Sequence, residues 1–559
     1  MKFKLNILAL GLFSLGLASC TDSFLDVESK TESSTGNYYK TESDAYRALV
    51  GCYDGWQCTT SSEGVGFYLA SEMMADECYG ATGVADGRNY QVIDRFDQAQ
   101  SSSDLNLYET VWKNYYAAVY RCNELISRAD GINWTSEATK GTYLGEAHAI
   151  RALCYFDMVR LWENIPLLDT PTTDNIAQAA PDEVYRLIIS DLKYAAENIP
   201  ANAYPKAQAA SNDGHITKYA AEALLARVYL FYSGYYGKEP ADLTKAEALA
   251  AVEDVIASEE FDLVEEFKNL WPAASVTWTA NADGSYTKTD TYAGRGNVET
   301  VLAQKFNYTS DYNGNADGNR WQVMIAPRNL ITVPYGQGWG ACTVSPKLVN
   351  SYQSGDTRAA ASIIDYTSEG IADRDNFSLL YNDQREYTGY GIKKYAPLAI
   401  WQQADDGTWS EVNEVMGKEI GAGEYQISQY QDFVVVRYSD VLLMAAELGS
   451  PNAQAYLDAV RDRAFGGDTG KRVTATKENI LKERMYEFAF EGLRYWDLLR
   501  QGVDVAAAEI AETRTLLSGG VEDVVTIQGS KITATRGLCQ IPYNQINLSN
   551  GVLKQNAGW

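Results

Sequence analysis

Histidine is nearly absent. The 559 residues hold two, His148 and His215, so the side chain best suited to general acid–base work near neutral pH is scarce. His148 lies in "GEAHAIRALCYF", among core-like helical neighbours, and His215 just precedes another helix; neither has a Ser, Cys or carboxylate at a recognisable catalytic spacing. Structural or capping roles fit both better. H-E-x-x-H, G-x-S-x-G and G-x-x-x-x-G-K are missing, which removes the standard signatures of zinc peptidases, serine hydrolases and P-loop enzymes. "GQGWG" (336–340) is glycine-rich but lacks the strand–turn–helix context of a phosphate loop. No C-x-x-C pair or Cys/His cluster occurs, so no structural zinc is expected. A glycosidase needs only two carboxylates; 74 are present, and nothing singles out a pair.

Positive charge is also short. Lys and Arg number 47 against 74 Asp and Glu, a formal net charge of -27. Such a chain does not seek nucleic acid by charge, and anionic membrane surfaces repel it. Long apolar runs are lacking beyond the N-terminus, so no membrane span is expected.

What is there begins with residues 1–19, which read as a secretory signal. Lys2 and Lys4 precede an apolar stretch from Leu5 to Leu17 that is too short for a comfortable membrane helix. Leu17-Ala18-Ser19-Cys20 resembles the bacterial lipobox, in which the cysteine becomes the first residue and is acylated. Several acyl chains then anchor the chain stably. The plainer alternative is a secreted protein whose Cys20 is incidental. Removing Cys20 from the 8 cysteines leaves seven, at 52, 58, 78, 122, 154, 342 and 539. Cys52 and Cys58 could close a short loop, whereas Cys122 and Cys154 read as small hydrophobes in helices.

Residues 20–37 are polar and Ser/Thr-rich, a lipidated tether. Amphipathic helical patterns follow at 43–56, 105–129, 136–166, 181–200, 217–237 and 242–258, then at 437–449, 452–465 and 476–502. Their pairing across short Gly/Pro turns suggests TPR-like repeats, where small residues seat bulky neighbours. The scaffold therefore spans about 38–268 and 431–502, interrupted by a loop-rich insertion over about 269–430 and followed by a C-terminal segment, 503–559. That insertion is rich in Gly, Asn, Asp, Thr and aromatics, as is a shorter stretch at 71–97. So long an irregular segment points to function. With Tyr 39, Trp 12 and Phe 15, many rings suit surfaces wet at one end and apolar at the other.

Two stretches invite sharper readings. "DYNGNADGNRWQ" (311–322) begins like a calcium loop, but Ala316 and Gln322 fail two defining positions. An Asn/Gly turn accounts for it better; calcium stays a minor alternative and no other cofactor is expected. "ILKERMYEFAFEGLRYWDLLR" (480–500) resembles a catalytic helix, with Leu481, Met485, Phe488, Trp496 and Leu499 as its apolar stripe. Glu491, Arg494 and Asp497 form i,i+3 pairs of opposite sign. A buried ion-pair ladder fixing helix packing is the preferred account.

Several segments together resemble the SusD/RagB family of Bacteroidetes surface lipoproteins. They are "RALCYFDMVRLWENIPLL" (151–168), "RYSDVLLMAAE" (437–447), "ERMYEFAFEGLRYWDLLR" (483–500) and "IPYNQINLSNGVLKQNAGW" (541–559), in the family's order behind the lipobox. Trp162, Glu163, Gln545 and Ala557 depart from its pattern at positions that look structural. The resemblance implies a mainly α, SusD-like fold with TPR-like pairs and a loop-rich, aromatic-rich ligand-binding half. It implies a non-catalytic lipoprotein, anchored in the outer membrane by its lipid alone and exposed at the cell surface. Its partner would be a TonB-dependent, SusC-like transporter. The ligand would be an oligosaccharide or, in the RagB branch, a peptide. By family correspondence the ligand-binding residues are Asp76, Arg88, Asn89 and Tyr90 in the first insertion and Tyr312, Asn319, Arg320, Trp321, Tyr335 and Trp339 in the second. The acids Asp22, Asp26 and Glu28 after Cys20 resemble the family's surface-export signal.

Overall fold

The computed structural model describes residues 38–61, 64–97, 101, 103–206, 213–282, 286–307, 318–329, 334–373, 377–403, 409–415, 418–420, 426 and 429–559. The signal and tether, Cys20, Tyr312 and most of the candidate calcium loop lie outside them.

The fold is mainly helical. Helices Glu42–Ser61, Glu109–Arg128, Glu137–Trp162, Pro181–Asn198, Lys218–Tyr236 and Lys245–Ala257 each pack on the next. Local sequence sets their ends. Ser136 Oγ accepts the Thr139 N–H at 3.0 Å, as the cap reading expects. Thr244 and Glu247 close a reciprocal capping box, the Thr244 N–H on Glu247 Oε2 at 2.7 Å and the Glu247 N–H on Thr244 Oγ1 at 3.2 Å. The array does not end at residue 257. Helix Tyr438–Glu447 stacks on Lys245–Ala257, and Ala453–Ala464 stacks on Tyr438–Glu447. The scaffold is thus continuous in space across its long sequence gap.

Between these halves, short antiparallel pairings order the insertion. Cys78–Gly80 pairs with Cys342–Val344, Thr300–Gln304 with Phe433–Arg437, and Ile363–Asp365 with Tyr390–Ile392. Each ties sequence-distant pieces together. A small separate core of Val276, Tyr335, Ile364, Tyr366, Phe377 and Leu398 supports this half.

Two expectations need correction. Cys52 and Cys58 are both free thiols, and no disulfide joins any of the seven described cysteines. Both lie on helix Glu42–Ser61, where six residues span roughly 9 Å of rise, beyond disulfide reach. The expected helix 476–502 is two helices, Lys477–Glu487 and Arg494–Leu499. Phe490 and Gly492 between them have φ of 66° and 72°. Gly492 is required there, because a Cβ would lie 2.8 Å from Tyr68 Cδ1.

The charged residues of this region build a buried seam. The Arg437 guanidinium donates to Glu299 at 2.6 Å, to Glu487 at 2.7 Å and to Glu491 at 2.8 and 2.9 Å. Arg358, fully buried, meets Asp356 at 2.7 Å, Glu483 at 2.7 Å and Glu487 at 3.2 Å. Arg484 joins Asp440 and Asp497, and Arg500 joins Glu447 and Asp497. Burial would raise the Asp440 carboxyl, but Arg484 and Arg227 hold it down at about 2. The charges expected to pair along one helix instead pair across elements: Arg494 reaches Asp76 and Glu491 reaches Arg437 and Lys394. In the 151–168 segment Arg151 pairs across elements, while Arg160 pairs with Asp157 at 2.6 Å along its own helix. Arg151 grips Asp191 through two 2.8 Å bonds, and Arg160 lies 3.9 Å over the Phe156 ring.

Candidate ligand-binding site

The site grows from the turn after strand Cys78–Gly80. Asp86 Oδ2 accepts the Gly83 N–H at 2.9 Å, an Asp-closed turn. Two arginines from the insertion then staple this loop down. Arg385 donates to the Val84 carbonyl at 2.7 Å and the Gly87 carbonyl at 3.1 Å. Arg328 bonds Asp383 at 2.7 Å, Asp86 at 3.0 Å and the Trp339 carbonyl at 3.2 Å. Its guanidinium occupies the space beside Gly83, where a Cβ would lie 2.1 Å from Nη2. Only glycine allows that approach. The tip of hairpin Glu512–Ser518/Val521–Ile527 closes one side, the Gly519 N–H donating to the Gln384 carbonyl at 3.0 Å.

On this frame the structure brings together Arg88, Asn89, Tyr90, Arg320 and Trp339. Arg88 is exposed, and Asn89, Tyr90 and Trp339 are half-buried. The Arg320 guanidinium sits 4.9 Å over the Trp339 ring. The Tyr90 hydroxyl reaches Met324 Sδ at 3.8 Å; burial, then Cys342 and Asp86, push it up to about 12. Burial, then Arg88 and Arg328, push the Arg385 guanidinium down. These are groups of three chain segments sharing one rim.

The other expected ligand residues are placed elsewhere. Asp76 is half-buried, its carboxylate held by Arg494 at 2.8 and 2.9 Å, with Lys347 at 3.4 Å. Burial would raise its carboxyl, but Arg494 and Lys347 hold it below the usual range. It faces a different cavity of about 630 Å³, between Lys347, Leu481 and Val505. Trp321 is 3% exposed, edge-on to Tyr395 and Phe433 at 6.4 and 6.3 Å. As placed, no sugar reaches its ring. Its helix, Arg320–Ile325, is buried on every side. Tyr335 is 2% exposed, and its hydroxyl donates to Glu369 at 2.7 Å. Asn319 is a buried cap, accepting the Trp321 N–H at 3.0 Å and donating to the Gln431 carbonyl at 2.7 Å.

Arg328, Arg385, Asp86 and Asp383 escaped the sequence reading. They gain meaning only through pairings across 55 to 301 positions, which no periodicity reports. Both histidines serve neighbouring carboxylates: His148 meets Asp191 at 2.5 Å and His215 meets Glu146 at 2.8 Å. Among the described residues no group of three or more His, Cys, Asp or Glu could hold a metal ion.

Residues 298–559 match the SusD family, and residues 24–230 match a family described as starch-binding and associating with the outer membrane. SusD-like proteins P38 and P25 of Formosa agariphila are 25% and 24% identical, over 89% and 92% of this chain and 92% and 93% of theirs. In fold the chain is similar to surface glycan-binding protein A from Bacteroides thetaiotaomicron, solved with laminarihexaose. There the TM-score is 0.71 at 23% identity, covering 93% of this chain and 100% of that one. A laminarin-binding SusD-like protein gives 0.67 at 25% identity, covering 93% and 100%.

Proposed function

The chain belongs to the SusD family, and on that premise we propose that it is a non-catalytic glycan-binding lipoprotein of the outer membrane. It holds oligosaccharide at the rim around Tyr90 and Trp339 and passes it to a TonB-dependent, SusC-like transporter. One observation carries the reading. The loop around Arg88 and the segment around Trp339 are locked together by Arg328, so two half-buried rings stand beside exposed polar groups. A sugar offers an apolar C–H face and a hydroxyl rim, and that mixture matches both. The glycan-binding relatives support the same reading. Arg88 and Asn89 supply polar contacts, Trp339 and Tyr90 the platforms, and buried Arg320 backs the Trp339 ring.

Anchoring would rest on acylated Cys20, since no helix among the described residues is long and apolar enough to cross a membrane. Surface export would follow from Asp22, Asp26 and Glu28. The test titrates a Cys20→Ala protein with a glycan panel and with peptides. Glycan binding that weakens about tenfold in Trp339→Ala, without loss of fold, is expected. Binding to peptides alone would overturn the glycan reading in favour of a RagB-like one. For the partnership, co-purification of the native lipoprotein with a large β-barrel is expected; recovery without one would refute it.

A further inference from the structure

The rim carries an unmatched positive charge. Three guanidiniums, of Arg88, Arg328 and Arg385, meet there with two carboxylates, Asp86 and Asp383. Both carboxylates close on Arg328. Arg385 spends its donors on the Val84 and Gly87 carbonyls and on Gln91 Oε1 and closes no ion pair, although Asp86 and Glu386 lie near enough to favour its charge. Glu386 lies beneath, buried and bonded to Arg95. Arg88 is exposed and makes no ion pair or side-chain hydrogen bond among the described residues.

This arrangement is unusual for this chain. Acids outnumber bases by 27, and its other clustered arginines are closed by carboxylates. Asp86 and Glu386 favour the Arg385 cation, yet burial and the neighbouring Arg88 push its guanidinium down all the same, so the repulsion between Arg88 and Arg385 is offset only in part. Repulsion of that kind is offset when an anion arrives. The loop bearing Arg88 is also stapled at Val84, Asp86 and Gly87, so little ordering remains to be done on binding. Guanidinium geometry suits planar carboxylate and sulfate oxygens through paired N–H donors.

We propose that Arg88, backed by Arg385, receives a carboxylate or sulfate ester on the bound sugar, so that the preferred ligand is an anionic oligosaccharide. This rests on the glycan-binding reading above. Trp339 and Tyr90 would hold the ring faces, and Arg88 would choose among glycans by their charge. A neutral glycan would stack equally well but leave the rim's charge unanswered.

The experiment is calorimetric titration of the Cys20→Ala protein with three oligosaccharides of similar length: an oligogalacturonate, a sulfated laminari-oligosaccharide and neutral laminarihexaose. Each is measured in about 0.05 M and about 0.5 M salt, where screening differs several-fold in range. At least one anionic ligand is expected to bind about tenfold more tightly than the neutral one in low salt, and the carboxylate and sulfate arms identify which group is read. The preference should shrink in high salt, vanish in Arg88→Gln and partly return in Arg88→Lys. Equal or better binding of laminarihexaose, unchanged by Arg88→Gln, would overturn the anionic proposal and leave the glycan reading standing. An anionic preference that survives Arg88→Gln would overturn the role of Arg88. Binding of none of the three, with Trp339→Ala silent across a wider glycan panel, would instead sink the glycan reading itself.

Discussion

The seam around Arg437 and the rim around Arg88 use the same two chemistries, guanidinium and carboxylate, to different ends. In the seam each arginine is buried and faces several carboxylates, as Arg437 faces Glu299, Glu487 and Glu491. In the rim Arg328 takes both acids, and Arg385 and Arg88 keep their charge. A buried charge must be matched or the fold fails; a charge at the surface can stay unmatched because water screens it. The degree of matching therefore separates ion pairs that hold this fold from those free to meet a ligand.

That contrast can be broken most severely in the seam. Arg437→Leu takes one cation from three buried carboxylates, leaving Glu299 to Arg463, Glu487 to Arg358 and Arg463, and Glu491 to Lys394, and should cost roughly 3–5 kcal/mol, read as a fall in denaturant midpoint; a change under about 1 kcal/mol would contradict the seam's role. Trp321→Ala should cost a similar roughly 3–5 kcal/mol as a core truncation, whereas Trp339→Ala on the rim should mainly weaken glycan binding.

Next in size is pH. Asp440 is held down at about 2 and Glu487 is also depressed, despite burial, by the arginines around them. Depressed carboxyls stabilise the fold above their unfolded values and lose that contribution as pH falls through the folded ones. Stability should therefore drop as pH falls below about 4. Glu72, beside the seam, has the opposite sign: burial raises it to about 8, and one oxygen accepts the Gly492 N–H at 2.6 Å. A raised carboxyl favours the folded state while protonated, so stability should also decline as pH climbs from about 5 toward 8. Glu72→Gln should lessen the alkaline decline, which the raised Glu222 and Glu386 carboxyls share, and leave the acid one. Identical profiles for variant and wild type in chemical denaturation would refute this assignment.

The smallest effect belongs to the rim. Arg88→Gln should move stability by less than about 0.5 kcal/mol. A larger loss in thermal unfolding would mean that Arg88 supports the loop after all.

The scaffold was legible because helices announce themselves by period and cap. Ser136 and Thr217 cap where the pattern begins, and the 151–168 and 437–447 segments carry recognisable spacing. The break at 488–493 was not legible, since the apolar stripe runs on through it. The Phe490 and Gly492 N–H groups leave the helical ladder for Glu77 and Glu72, over 400 residues upstream. Half of the rim was legible as aromatics among Gly and Asn. Trp321 read the same way as Trp339, yet a one-and-a-half-turn helix carries it inward. Exposure there depends on tertiary placement, which composition does not encode.

The discontinuous scaffold has a consequence in time. Helix Lys245–Ala257 receives its neighbour Tyr438–Glu447 only after roughly 180 further residues have been made. Until then one apolar face waits uncovered, and the closing contact is among the most sequence-distant in the array. Such long-range closure slows folding and prolongs the interval in which the chain can aggregate. On the proposed export route that delay is useful, because a late-closing array stays threadable for longer, and folding should be completed only after the C-terminal helices have crossed the inner membrane.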